Sequence, residues 1–269
     1  MTNQQMQQAL DFQAECESLE ALLRPLPPED FSRSTGFKSW TVDNVLRHLH
    51  VWNVAADLSL QDEDAFKEWL ANALPKVMAG DLTSFETEEL NGLAGPDLLN
   101  RWATFYPQTA QRFAETDPSK RLVWAGPSMS ARSSITARLM ESWAHGQAIY
   151  DELGVKRKNA DRIKNIVVIG VNTYGWTFKN RGETPPEPMP HLVLTAPSGT
   201  LWEFGEPSES EKITGLAEEF CQVVTQCRNI ADTKMSVEGE NAKRWMAVAQ
   251  CFAGPPMDPP APGLRKMRC

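Results

Sequence analysis

The stretch Arg181-Gly182-Glu183-Thr184-Pro185-Pro186-Glu187-Pro188-Met189-Pro190 carries four prolines in its last six residues. Proline fixes φ and removes a backbone donor, so neither a helix nor an inner strand can run through this stretch. It predicts a stiff, extended linker. The apolar periodicity changes across it. Upstream spacing is helical; downstream, residues 191–196 and 201–204 read as two strands around the turn Pro197-Ser198-Gly199, together a hairpin. The fold class expected is therefore α+β: an N-terminal antiparallel four-helix bundle over residues 1–182, followed by a small α+β domain over residues 188–269.

Within the first part, residues 4–23 form an amphipathic pattern closed by Pro25, Pro27 and Pro28. A loop over 31–38 leads to a second helix, capped by Ser39 or Thr41 and running to about Leu60. A shorter helix follows over 62–74, and residues 80–96 read as irregular. Helices are predicted from Asp97 to about Phe113, from Ser128 or Ser130 to near Gly154, and as one piece over 159–179. Long helices joined by moderate loops suit an antiparallel bundle. Beyond the hairpin, residues 217–228 and 241–253 read as helices, with a proline-rich tail.

Charge and cysteine usage remove several classes. A formal charge of −8 with no basic stripe argues against nucleic acid. The longest apolar run, Ile166-Val167-Val168-Ile169-Gly170-Val171, is too short to span a bilayer, and the polar N-terminus lacks a signal-peptide core. No membrane association is expected. Five cysteines without a CxxC pair fit reduced, idle thiols in a cytoplasm. GxGxxG, GxxxxGK[ST] and GxSxG are all absent, so nucleotide-cofactor and serine-hydrolase readings have no motif to stand on.

The chain has four histidines: His48, His50, His145 and His191. Glu141 and His145 are one helical turn apart on one face, a spacing that can grip a metal ion or make a plain surface contact. In the second helix, Thr41, Asn44, His48, Trp52 and Ala55 share a stripe, and His50 points nearly the other way. His48 is thus the histidine expected to face the bundle interior, as a ligand or as a hydrogen-bonded core residue. Two imidazoles and one carboxylate leave coordination positions open, which suits catalysis better than a structural site. His191 starts a strand beyond the linker and is not expected to ligate.

Arg138 shares the stripe of Ser134, Glu141 and His145. A buried arginine needs an anionic partner. Glu141 could serve as a salt-bridge partner, the reading that requires no further molecule. A substrate carboxylate held bidentately is the other reading.

Trp40-Thr41-Val42, with His48 eight residues after the tryptophan, resembles the second-helix signature of the DinB-like metal-dependent superfamily. Arg138-Leu139-Met140-Glu141-Ser142-Trp143-Ala144-His145 resembles the R-x-x-E-x-x-x-H stretch of its maleylpyruvate isomerase branch, which uses mycothiol or a related thiol. Three later stretches resemble a subgroup of uncharacterised metal-binding proteins: Glu219-Phe220-Cys221-Gln222-Val223-Val224-Thr225-Gln226, Ala231-Asp232-Thr233 and Ala249-Gln250-Cys251-Phe252-Ala253-Gly254-Pro255-Pro256. The resemblance implies a divalent metal on His48, Glu141 and His145, zinc first, with iron or nickel as alternatives. It also implies a low-molecular-weight thiol as cosubstrate. Many relatives carry Asp four residues after the tryptophan, where this chain has Asn44.

The expectation is a cytoplasmic, metal- and thiol-dependent enzyme. It would activate the thiol for cis–trans isomerisation or thiol transfer on a small carboxylate substrate, with Arg138 as the catalytic residue that orients the carboxylate. Two histidines and a carboxylate also suit a non-haem Fe(II) oxygenase, and a non-catalytic metal- or ligand-binding protein is the third reading. Substrate, thiol, metal and oligomeric state are left open by the sequence.

Overall fold

The structure is a computed structural model, and it describes residues 5–268. The chain divides into two compact units, one ending at Ile149 and the other starting at Tyr150. The fold is mixed α+β with a helical N-terminal part, as the sequence implies.

In the first unit, α1 (Gln7–Leu23), α2 (Val42–Gln61), α5 (Gly95–Ala114) and α6 (Ala131–Glu152) form the bundle. Two shorter helices, α3 (Glu63–Met78) and α4 (Leu82–Glu89), lie between α2 and α5. Paired contacts give the helix directions. Asp43 accepts from the Gly95 amide, and Arg112 forks onto Asp57 at 2.7 and 2.8 Å, so α2 and α5 run parallel. His48 meets Glu141 while Asn53 meets Arg138, so α6 runs antiparallel to α2. Tyr106 donates to Glu20 and Arg24 to Asn100, so α1 runs antiparallel to α5. Two parallel neighbours need a return crossover, and α3 with α4 supply it.

The sequence reading of 80–96 as irregular is thereby corrected. Residues 82–89 are helical, with Phe85 packed beside Val51 and Ala73. The acidic run Glu86-Thr87-Glu88-Glu89 masked the one apolar face, Leu82 and Phe85, that seats this short helix. The connection after α5 also holds a small hairpin, β1 (Arg121–Leu122) with β2 (Met129–Ser130).

Helix starts are set locally. Thr41 accepts from the Asn44 amide at 3.1 Å, and the Asn44 side chain accepts from the Thr41 amide at 3.0 Å. This reciprocal cap fixes where α2 begins. Asn44, the departure from the superfamily pattern, is thus occupied at the helix start. Ser130, not Ser128, caps α6, accepting from the Ser133 amide at 3.1 Å.

The second unit contains α7 (Lys164–Asn172), α8 (Tyr174–Lys179), α9 (Ala217–Val224), α10 (Glu240–Val248) and a sheet. The strands are β3 (His191–Thr195), β4 (Leu201–Phe204), β5 (Lys212–Leu216) and β6 (Ser236–Glu238), in the order β4-β3-β5-β6. The predicted hairpin is β3–β4, with Leu194 opposite Trp202. Strand β5 pairs parallel with β3, and β6 antiparallel with β5. The sequence reading left these two strands out: β6 has three residues, and β5 runs through Gly215 with Ile213 as its buried apolar residue.

The single helix expected over 159–179 is broken at Thr173, whose hydroxyl donates to the Ile169 and Gly170 carbonyls. Both pieces belong to the second unit. Tyr174 packs edge-on against Trp245 at 4.9 Å, and Phe220 meets the same indole at 5.6 Å. A Cβ at Gly170 would lie 2.9 Å from the Phe220 ring, so glycine lets α7 close onto α9. These contacts seat α7 and α8 within the second unit, although the proline run alone would group them with the residues before it. No described helix is long and apolar enough to cross a membrane.

Candidate metal centre

The helical period of α2 and α6 brings the predicted residues together. His48, Glu141 and His145 each offer one donor atom, and these atoms lie within 4.8 Å of one another. Glu141 Oε2 is 3.0 Å from His145 Nε2 and 3.6 Å from His48 Nε2. The side chains are 11, 23 and 12 % exposed for His48, Glu141 and His145, so the trio is recessed yet reachable through the carboxylate.

The surroundings of the two imidazoles differ. On His48, Nδ1 lies 2.7 Å from Glu86 Oε1, which also accepts from the Trp52 indole at 3.0 Å. Glu86 comes from α4 and is fully buried. On His145, Nδ1 is buried with no hydrogen-bond partner, and the ring is held by aromatic packing instead. Trp40 stacks on it at 5.6 Å with an interplanar angle of 9°, and Phe37 meets it edge-on at 4.9 Å. The loop and turn that carry Phe37 and Trp40 are pinned where the Thr35 amide donates to the Trp40 carbonyl at 2.7 Å.

Electrostatics follow from this geometry. Burial opposes charge on His48, but Glu86 and Glu141 on either side outweigh it and raise its pKa to about 9. Burial pushes Glu141 up, but contacts from His145 and His48 hold its carboxyl well below the usual carboxylate range. Burial lowers His145, with the charge of His48 adding to the effect against its bond to Glu141. The pocket therefore already stabilises a positive charge between two carboxylates. Two imidazole nitrogens and a carboxylate oxygen are a donor set that fits a divalent ion, and binding one would release the His48 proton.

Arg138 faces the interior as its stripe predicts, and is 4 % exposed. It makes no ion pair with Glu141 among the described residues. Its Nε donates to Asn53 Oδ1 at 3.1 Å, while its Nη2 and Asn53 Nδ2 are buried without partners. Glu141 is engaged by the two histidines, which is why the expected salt bridge does not form.

His50 and His191 stand apart from the trio. His50 does point away from His48, yet it is 1 % exposed, packed edge-on against Phe105 at 5.4 Å. Opposite faces of α2 are both buried, because α5 covers one and α6 the other. His191 lies 3.3 Å from Glu203 across β3 and β4. The cysteines among the described residues are buried and unbridged. Burial pushes the Cys16, Cys221 and Cys227 thiols up, so none is a ready nucleophile. Cys269 lies outside the described residues.

Asn53 and Glu86 are the neighbours that sequence reasoning missed. Asn53 is one position past the Trp52 stripe. Glu86 follows Leu82 by four residues, on the inward face of α4, and that spacing is the signal that could have found it.

Comparison with known proteins bears on the family and the fold. Two proteins of Mycobacterium tuberculosis, MT0041 and Rv0036c, both named as uncharacterized, are each 37 % identical over 247 residues. The alignment spans 91 % of this chain and 95 % of each relative. Among solved structures, the mycothiol-dependent maleylpyruvate isomerase matches with a TM-score of 0.53 at 15 % identity, over 81 % of this chain and 87 % of that one. A point mutant of that enzyme matches with a TM-score of 0.52. At that identity the likeness speaks for the fold. Residues 12–150, which hold His48, Glu86, Arg138, Glu141 and His145, match the family described as mycothiol maleylpyruvate isomerase N-terminal domain, and the chain belongs to that family.

Proposed function

We propose that this protein is a divalent-metal-dependent enzyme that uses a low-molecular-weight thiol, mycothiol or a relative of it, to isomerise or modify a small unsaturated carboxylate. The observation that carries the reading is the convergence of His48, Glu141 and His145 donor atoms within 4.8 Å in a recess of the bundle. Three protein donors leave room for a further ligand. A dication held there, zinc first and iron or nickel as alternatives, would lower the pKa of a thiol that ligates it.

The remaining work falls to the chain's own residues. Trp40 and Phe37 fix the His145 ring, so its Nε2 keeps its aim. The buried cysteines do not compete as nucleophiles, so the nucleophile in this reading is an external thiol. In the isomerase version that thiol adds across a conjugated cis double bond. The resulting single bond rotates, and elimination restores both the double bond and the thiol, with nothing consumed. Thiol transfer uses the addition without the return.

Arg138 supplies a second positive charge beside the trio, and its Nη2 lacks an acceptor. A substrate carboxylate would provide that acceptor. The guanidinium is enclosed, so direct contact requires a side-chain movement at the recess. The test is turnover of maleylpyruvate by the zinc-loaded protein with and without mycothiol. Metal-dependent turnover that needs the thiol is expected. Metal uptake without turnover of this or related unsaturated carboxylates, under any thiol, would leave a binding protein.

A further inference from the structure

The histidine that α2 contributes is held from behind by a carboxylate of another helix. Glu86 Oε1 sits 2.7 Å from His48 Nδ1. The same oxygen accepts from Trp52 Nε1 at 3.0 Å, and an indole nitrogen can only donate. The carboxylate is fully buried, and its other oxygen has no partner. Nothing in this arrangement exposes Glu86 to solvent or to a substrate. Its shorter contact is with the imidazole whose opposite nitrogen faces Glu141.

We infer that Glu86 is the positioning residue of the metal centre. By accepting from Nδ1–H it selects the His48 tautomer whose Nε2 carries the free lone pair, aimed at Glu141 and His145. It also makes that nitrogen more basic, and Trp52 keeps the carboxylate in its rotamer. The two imidazoles are then set by different means: His48 by a charge from α4, His145 by the aromatic faces of Trp40 and Phe37. The crossover between α2 and α5 thus has a task beyond returning the chain. This inference rests on the metal reading above, and it adds to that reading a residue outside the three donors.

The rival explanation is a plain buried ion pair that stabilises the bundle and leaves metal affinity alone. The experiment measures Zn2+ affinity of the full chain by competition with a chromophoric chelator, and the visible absorption bands of the Co2+-loaded protein. Both are read on wild type, Glu86→Gln and Trp52→Phe. The glutamine keeps an acceptor for Nδ1–H and removes the charge. It is expected to weaken Zn2+ binding about 10–100-fold and to shift the Co2+ bands. Trp52→Phe should weaken it less, with the same sense of spectral shift.

An affinity within twofold of wild type and unaltered Co2+ bands in Glu86→Gln would overturn the inference. If that variant does not fold, Trp52→Phe decides: unchanged affinity and bands overturn it, and a measurable loss supports it. A wild-type protein that takes up neither ion sinks the metal reading, and this inference with it. Tight wild-type binding beside an unaffected Glu86→Gln sinks this inference alone.

Discussion

The two faces of α2 bury one histidine each, and the two sites have opposite character. His48 lies between Glu86 and Glu141, and its pKa rises to about 9. His50, two residues on, lies against Phe105 with Arg101 as the nearby charge, and burial with that charge lowers its pKa to about 4. Its Nδ1 has no partner. Helix, residue type and enclosure are shared; the neighbouring carboxylates are not. Burial alone gives a neutral core histidine, and a cation site needs acidic side chains from a second and a third helix.

That contrast can be broken most forcefully at the donors. His145→Ala should remove most of the bound metal, because two donors remain and a dication then has to find water in place of the third. Elemental analysis after dialysis at low free metal reads this directly. Full retention would mean that the ion sits elsewhere.

The His50 face makes a prediction of the other sign. Its folded pKa, about 4, lies below the unfolded value near 6.5. The unfolded chain therefore binds the proton first as pH falls. Stability from this group is full above about pH 6.5 and is lost progressively down to about 4, by about 3 kcal/mol. Urea melts across that window, on wild type and His50→Phe, should show a shallower decline in the variant. Parallel declines would show that His50 protonates freely in the fold.

Arg138→Lys separates two roles on the donor face. Lysine keeps the charge but not the planar fork. A substrate-binding role predicts a higher KM or lower kcat, by about tenfold, with metal content and Tm near wild type. Loss of metal in step with activity would place Arg138 in the support of the site through Asn53. The smallest effect expected is on metal content in His50→Ala, which should equal wild type even though the cavity lowers Tm. A drop in bound metal there would erase the distinction between the two faces.

Much of this was legible in the sequence, for a physical reason. The spacing of Glu141 and His145, and the stripe through His48 and Trp52, follow from 3.6 residues per turn, and long helices obey that period. The hairpin at residues 191–204 was legible because β-strand alternation and a Pro-Ser-Gly turn coincide there. Short elements escaped. Helix α4 has eight residues, and Glu86 is one of three similar carboxylates in its acidic run. Only packing decides which of them turns inward. The partner of Arg138 was unreadable too: Glu141 is nearer in sequence, yet Asn53 on the facing helix holds the guanidinium. The proline run marks a break in periodicity, but the apolar faces of α7 and α8 are claimed by Phe220 and Trp245, so compactness divides the chain at Ile149.

The central claim is that His48, Glu141 and His145 together hold one divalent ion. Metal content per chain, measured in one series on wild type, His145→Ala and His50→Ala, tests it most directly. About one equivalent in wild type and His50→Ala, with little in His145→Ala, is the predicted result. Metal-free wild type after growth and refilling with Zn2+, or equal metal in all three proteins, would contradict it.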